Sequence, residues 1–317
     1  MTGTSRRAEV EPAWVAQIVA RRPLRYRLGA DAALDRPGHV RAASGLTWLG
    51  SQLVVVQDDA AFLGVVDPST GLVDDVPLPN ANGRRVFGKA LGNKADKPDL
   101  ESVFADGETL IAFGSGWPLP NRRVAVTWRV GELPTVIGVS RLLAELGRVI
   151  LPGATALNLE GATRIGDEVW LANRGGDVAG TAVSPDAVVT VELAALRAYL
   201  AAPDMAPLPS LSATHYDLGT LDGCALHFTE LEASADGVWY LGAAEATASY
   251  FDDGQVMGSV LGHSGQDVRY TVVLDEKGQR STDKLEGLAV AGKGRFWAVV
   301  DADDPDRPAD LLELTLT

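Results

Sequence analysis

Leu285-Glu-Gly-Leu-Ala-Val290, then Gly292-Lys-Gly294, then Phe296-Trp-Ala-Val-Val300 reads as an apolar strand, a glycine turn and a second apolar strand. Short apolar, β-branched and aromatic runs bracketed by Gly and Asp are hairpins. The same order recurs upstream. Glu160-Gly-Ala-Thr-Arg-Ile165 leads through Gly166-Asp167 to Val169-Trp-Leu-Ala172, and Glu232-Ala-Ser-Ala235 leads through Asp236-Gly237 to Val238-Trp-Tyr-Leu241. Leu100-Glu101-Ser102 is another copy of the opening, and Ala43-Ser44-Gly45 a degenerate first one. The copies lie 54 to 75 residues apart, counting the wrap from the last copy to the first. A minimal four-stranded propeller blade takes roughly 40–45 residues, so this spacing predicts blades with enlarged loops.

The expected fold is therefore all-β, a five-bladed β-propeller, with six blades as the alternative. Later strands of the blades are expected at Phe62–Val66, Arg123–Val130, Ala187–Leu193, Gln255–Leu261 and Leu311–Leu316. The residue after each repeat position is small (Gly45, Ser102, Gly161, Ala233, Gly287), as crowded innermost strands demand. The leucine before the glutamate is expected to pack between adjacent blades. The last blade is one strand short, so Leu24-Arg-Tyr-Arg-Leu28 is expected to supply its outer strand and remove an exposed edge. Leu and Ala at helical spacing over Val139–Leu146 and Val191–Leu200 predict two short surface helices. Residues 1–22 are expected to form a frayed tail or short helix, and 23–317 a single propeller domain.

Composition narrows the partners. The net charge is −14, from 28 basic and 42 acidic residues. It argues against nucleic acid or an anionic membrane surface. There is no apolar run long enough to span a bilayer and no signal-peptide pattern at the N-terminus. The one cysteine, Cys224, excludes an internal disulfide, and the expected location is the cytoplasm.

In a propeller, the start of each innermost strand and the end of each second strand open on one face around the channel. That geometry gathers Glu101, Glu160, Glu232 and Glu286 with Gln57, Asp58, Asp59, Ser115, Asn173, Arg174, Glu245, Asp301, Asp303 and Asp304. Converging carboxylates cannot all stay ionised at close range without a cation or a basic partner. Three arrangements satisfy this. In one, a hard divalent cation, calcium by its oxygen ligands, sits on Glu160, Glu232, Glu286 and Asp301. In another, Arg174 and nearby lysines neutralise the ring. In the third, each glutamate accepts backbone N–H groups of the next blade.

Arg84, Arg85, Lys89, Lys94 and Lys97 form a basic stretch that runs into Glu101. It reads either as an anion-binding arm or as a solvated loop balancing the acidic mouth. Ala243–Gly254 carries Glu245, Asp252 and Asp253 after a second strand, as a lid or as further ligands. Asp301-Ala-Asp-Asp-Pro305 is acid-rich but lacks the EF-hand spacing. His39, His215, His227 and His263 match no zinc spacing, and Cys224 with His227 gives a single Cys-x-x-His. No nucleophile elbow, P-loop or dinucleotide fingerprint occurs.

On Lys97-Pro-Asp-Leu-Glu101, Ala244-Glu-Ala-Thr247 with Asp252-Asp-Gly254, and Asp301-Ala-Asp-Asp-Pro305, the chain resembles bacterial β-propellers of the phytase-like (esterase-like) and SdiA-regulated groups. A looser similarity to calcium-dependent lactonase propellers implies Glu160, Asn173 and Asp301 as metal ligands. Two functions follow as expectations. One is a binding propeller that takes a small ligand or partner at the channel mouth, with Lys89, Lys94, Asn173, Glu245 and Asp303 contacting it. The other is a calcium-dependent hydrolase of phosphate esters, carboxyl esters or lactones, with Glu101 as general base and Lys97 or Arg174 steadying the anion.

Overall fold

The computed structural model describes residues 5–79, 83–153, 157–176, 184–246, 254–302 and 304–317. These residues form antiparallel meanders in chain order. The first runs Ala43–Leu49, Gln52–Gln57, Phe62–Asp67, Leu72–Pro77. The second runs Leu100–Asp106, Thr109–Gly114, Val124–Trp128, Thr135–Gly138. The third runs Leu159–Ile165, Glu168–Asn173, Asp186–Glu192, Leu211–Asp217. The fourth runs Cys224–Ser234, Gly237–Ala246, Gln255–Ser264, Val268–Leu274. The last has Lys284–Gly292, Arg295–Asp301 and Asp310–Leu316. Each innermost strand packs on the next, and Lys284–Gly292 packs on Ala43–Leu49, so the innermost strands close a ring. The fold is all-β and of propeller type.

Apolar clusters fill the wedges between neighbouring meanders. Leu100 packs with Val54, Val56 and Trp128 between the first and second. Leu159, Phe104 and Phe113 fill the next wedge. Phe228, Leu231 and Tyr240 pack against Val188 of the third meander, and Leu285 lies with Trp239 and Phe296. Alternation along each strand, with two apolar faces per sheet, produces these wedges. The expected helices are present as Ser140–Ile150 and Leu193–Ala201. Leu142, Leu143, Leu146 and Ile150 of the first, and Leu193, Leu196, Tyr199 and Leu200 of the second, join the same wedge.

The N-terminus differs from its expected role. The strand that completes the last meander is Ala16–Pro23, antiparallel to Asp310–Leu316, and not Leu24–Leu28. Ala16 and Ile18 are fully buried on this strand, and their alternation with less buried neighbours is the strand signal. Arg25–Tyr26 instead lies parallel to Leu72–Val73, at the outer edge of the first meander. The stretch expected to be a tail or helix also holds a strand, Ser5–Val10. It runs parallel to His215–Asp217 of the third meander and to Val268–Tyr270 of the fourth. The first residues of the chain thus tie separate sheets together and cover strand edges that would otherwise invite pairing.

Candidate functional site at the channel mouth

Every innermost strand carries a β-bulge, near its start at Ser44, Glu101, Glu160 and Glu286 and midway along Cys224–Ser234 at Thr229. A bulge opposes two residues to one and re-aims a side chain, and this is the device that presents Glu101, Glu160 and Glu286 at the mouth. Where the bulged residue is an alcohol it serves the ring instead. The Ser44 hydroxyl donates to Leu100 O, and Thr229 Oγ1 donates to Leu285 O at 2.6 Å.

The fourth meander is therefore read three residues out of register when its sequence is aligned on Leu231-Glu232-Ala233. Glu232 lies three positions beyond the bulge, ~10 Å along the strand at ~3.3 Å per residue. There it accepts the backbone N–H of Val290 at 3.1 Å, and burial raises its pKa to about 8. It stands apart from Glu160 and Glu286, so the four-residue metal set anticipated from sequence is not assembled. The position expected to be small belongs to Glu230, which is fully buried. Gly161 and Gly287 do need to be glycine. A Cβ at Gly161 would lie 2.8 Å from Glu230 C, and one at Gly287 2.8 Å from Leu46 N. Glu230 Oε1 accepts the N–H of Leu231 at 2.8 Å and of Ala162 at 3.3 Å. Its Oε2 has no hydrogen-bond partner among the described residues. Desolvation raises its pKa well above the usual carboxylate range, so burial favours its neutral form.

One corner of the mouth is built from the first and second meanders. Asp58 follows the second strand of the first meander, and Asp99 and Glu101 flank the start of Leu100–Asp106. Oxygens of these three carboxylates lie within 4.8 Å of one another, a group that could hold a metal ion. The Lys97 ammonium pairs with Asp58 and, at 2.5 Å, with Asp99. Arg122 reaches Asp99 at 3.1 Å, and the Ser115 hydroxyl donates to the same carboxylate. Asp99 has φ +55°, a left-handed conformation that aspartate tolerates better than most side chains. Burial, then the charges of Asp58, Asp99 and Glu160, push the Glu101 pKa well up. Burial also raises Asp99, and burial with the Asp58 charge raises Asp59 to about 6 despite Arg41 at 2.7 Å. Burial pushes Asp58 up, but the charge and hydrogen bond of Lys97, with Asp99 and Arg122, together outweigh it and leave Asp58 lowered.

A second corner joins the third, fourth and last meanders. Arg174 lies 2.6 Å from Glu245 and 3.5 Å from Glu160. Lys284 lies 2.8 Å from Glu286 and 3.7 Å from Glu245. Asn158 Nδ2 donates to Glu160 at 2.6 Å. Asp301 pairs across the strands with Lys284 and adds its charge to the same cation. Here the basic residues neutralise the ring, which was one of the three expected arrangements. The two corners are adjacent, since the charge of Glu160 is felt at Glu101.

Asn173 is fully buried and its amide serves the backbone. Its Nδ2 donates to Arg174 O, Ser184 Oγ and Pro185 O, and its Oδ1 accepts from Asn158 N. This leaves it no role as a channel ligand. Gln57 is used in the same way, donating to Tyr26 Oη and Phe62 O. Lys89 is exposed and Lys94 half-buried, so only Lys97 of the basic stretch enters the cluster. Asp303, Asp252 and Asp253 lie outside the described residues.

The family model described as "Family of unknown function (DUF6929)" matches residues 39–316. The chain belongs to that family. No curated protein matches it. Among solved structures it is similar to Myxococcus xanthus glutaminyl cyclase, 13% identical over 96% of this chain and 97% of that one, with a TM-score of 0.47. It is also similar to a Bacteroides ovatus glycosyl hydrolase, 9% identical over 92% of this chain and 90% of that one, with a TM-score of 0.50. A third similar structure is a streptogramin B lyase, 8% identical over 96% of this chain and 98% of that one, at 0.43. At such identities the likeness concerns the fold alone. No described helix is long and apolar enough to cross a membrane.

Sequence reasoning missed three members of this mouth. Lys284 opens the last innermost strand immediately before Leu285-Glu286, and its position alone was a readable signal. Asp186 and His227 were passed over because they are distant in sequence and fit no metal spacing. The structure joins them, His227 Nδ1 to Asp186 Oδ2 at 2.8 Å.

Proposed function

We propose that the chain is a five-bladed propeller that binds a divalent cation, calcium by its ligand chemistry, together with a small polar ligand at the channel mouth. The cation would be held by Asp58, Asp99 and Glu101 in place of the set first expected from sequence. The observation that carries this is the convergence of those three carboxylates to within 4.8 Å. Oxygen-only donors suit a hard cation. The residues fit in charge as well. Three acids face Lys97 and Arg122, and burial with the neighbouring carboxylate charges favours a proton on Glu101. A divalent cation would take over the part now played by that proton and by the Lys97 ammonium. When bound it would supply a fixed positive charge beside which an anionic ligand group can dock.

The resemblance to phytase-like propellers supports a cation here, and the lack of any nucleophile motif supports binding rather than covalent chemistry. The small ligand, with Glu245, Lys89 and Lys94 at the rim, a cytoplasmic location, and no nucleic-acid or membrane partner all belong to the same reading, on the strength of the −14 charge and the single cysteine. Calorimetric titration of the full chain with calcium chloride tests it. Binding should release a proton from Glu101, so the observed heat should change between buffers of different ionisation enthalpy. Lys97→Met should bind calcium more tightly because it removes the competing ammonium. No heat with either protein, at a Kd tighter than ~1 mM, would end the cation reading.

A further inference from the structure

Asp186 starts the third strand of its meander, and His227 lies near the start of the next innermost strand. The Asp186 side chain is 8% exposed and that of His227 is 23% exposed. Asp186 Oδ1 accepts two backbone N–H groups, from Gly175 and Phe228, both at 3.0 Å. Its Oδ2 faces His227 Nδ1 at 2.8 Å. The approach is so close that a Cβ at Gly175 would collide with the Asp186 carboxylate. Glycine beside Arg174 is thus a condition for seating this carboxylate.

The three partners determine where the histidine proton sits. An ionised carboxylate only accepts, so Nδ1 must donate, and in the neutral ring Nε2 is left with its lone pair. Among the described residues, the side-chain hydrogen bond of His227 is the one that Nδ1 makes with Asp186. His227 pairs across the strands with Ala243, two positions before Glu245. A proton gained by the ring would act on Glu245, which Arg174 holds at 2.6 Å. A partly exposed imidazole with an oriented, unused lone pair therefore stands next to the cationic corner of the mouth.

We propose that His227 is the general base of a hydrolytic site for small carboxylic esters, with Asp186 as its positioning residue. Nε2 takes a proton from water as the water oxygen bonds to the ester carbonyl carbon, and the resulting oxyanion is stabilised by Arg174. The carbonyl then re-forms, the bond to the alcohol oxygen breaks, and the imidazolium returns its proton to that leaving oxygen. One ester and one water become one carboxylic acid and one alcohol, and the imidazole is restored. This does not use the Asp58–Asp99–Glu101 corner.

The test is hydrolysis of para-nitrophenyl acetate by the full chain, with imidazole nitrogen-15 spectra of the same samples. His227→Gln should lower kcat/KM ~100-fold or more, the usual range for a lost general base. Asp186→Asn gives a sharper readout. Its side-chain oxygen should stay on the Gly175 and Phe228 N–H groups, which turns its NH2 towards Nδ1. The ring proton must then move to Nε2, so the spectrum should show the other tautomer, and the rate should fall with it. Equal hydrolysis by wild type and His227→Gln would overturn the proposal, as would an Nε2-protonated ring in the wild type. Calcium titration of His227→Gln separates the two readings. Retained binding with lost hydrolysis supports both, and lost hydrolysis in a chain that never binds calcium removes only the cation.

Discussion

Replacing Glu230 by glutamine should change how stability depends on pH far more than stability itself. In the folded chain Glu230 is fully buried at the centre of the ring, and desolvation favours its neutral form. In the unfolded chain the same carboxyl ionises near its ordinary value of 4.5. Folding above that pH therefore takes up a proton. A group with a raised folded pKa gives stability that is complete below the unfolded value and is lost as pH rises towards the folded one. Within that window each pH unit costs ~1.4 kcal/mol for one group. Glutamine has nearly the same shape, can keep its oxygen on the Leu231 and Ala162 N–H groups, and does not titrate. Near pH 5 the variant should lie within ~1 kcal/mol of wild type, a neutral-for-neutral exchange of one hydrogen-bonding group. From pH 6 upwards its stability should fall less steeply, by ~1.4 kcal/mol per pH unit. Urea unfolding at pH 5, 6, 7 and 8 reads both slopes, and the difference cancels every other titrating group. Parallel lines would show that Glu230 is ionised in the folded ring and that the desolvation reasoning is wrong.

Gly161→Ala should destabilise by ~1–3 kcal/mol in urea unfolding, because its Cβ would meet the backbone of Glu230 and Leu231 rather than a side chain able to move. Lys284→Met should cost ~3–5 kcal/mol at neutral pH, since it leaves Glu286 and Glu245 with less compensation in a buried cluster; a change under 1 kcal/mol would mean that water screens that corner. Removing residues 1–23 deletes the strand that pairs with Asp310–Leu316 and the burial of Ala16 and Ile18. That truncation should lower the Tm by at least several degrees and promote association through the bared edge, measurable by light scattering. Glu232→Gln should flatten the stability profile between about pH 4.5 and 8, by the same sign argument and to a smaller extent than Glu230→Gln because the residue is only half-buried.

The all-β class and the recurring hairpins were legible because strand, turn and strand are local patterns. Val169-Trp-Leu-Ala172 and Phe296-Trp-Ala-Val-Val300 read as strands wherever they are placed. The two helices were legible for the same reason, from Leu spacing in Leu142, Leu143 and Leu146. Glu101, Glu160, Arg174 and Glu286 could be placed at the mouth because a repeat puts equivalent positions on one face. Register in the fourth meander could not be read. Whether Thr229 or Glu232 occupies the bulge depends on how Cys224–Ser234 pairs with Gly237–Ala246 and packs on its neighbours, and a three-residue slip leaves the local pattern equally plausible. The roles of Asp186, His227 and Glu230 were hidden for a related reason. A carboxylate's charge, partners and proton depend on groups far away in the chain, and only the closing of the ring brings those groups within hydrogen-bonding distance and excludes water from them.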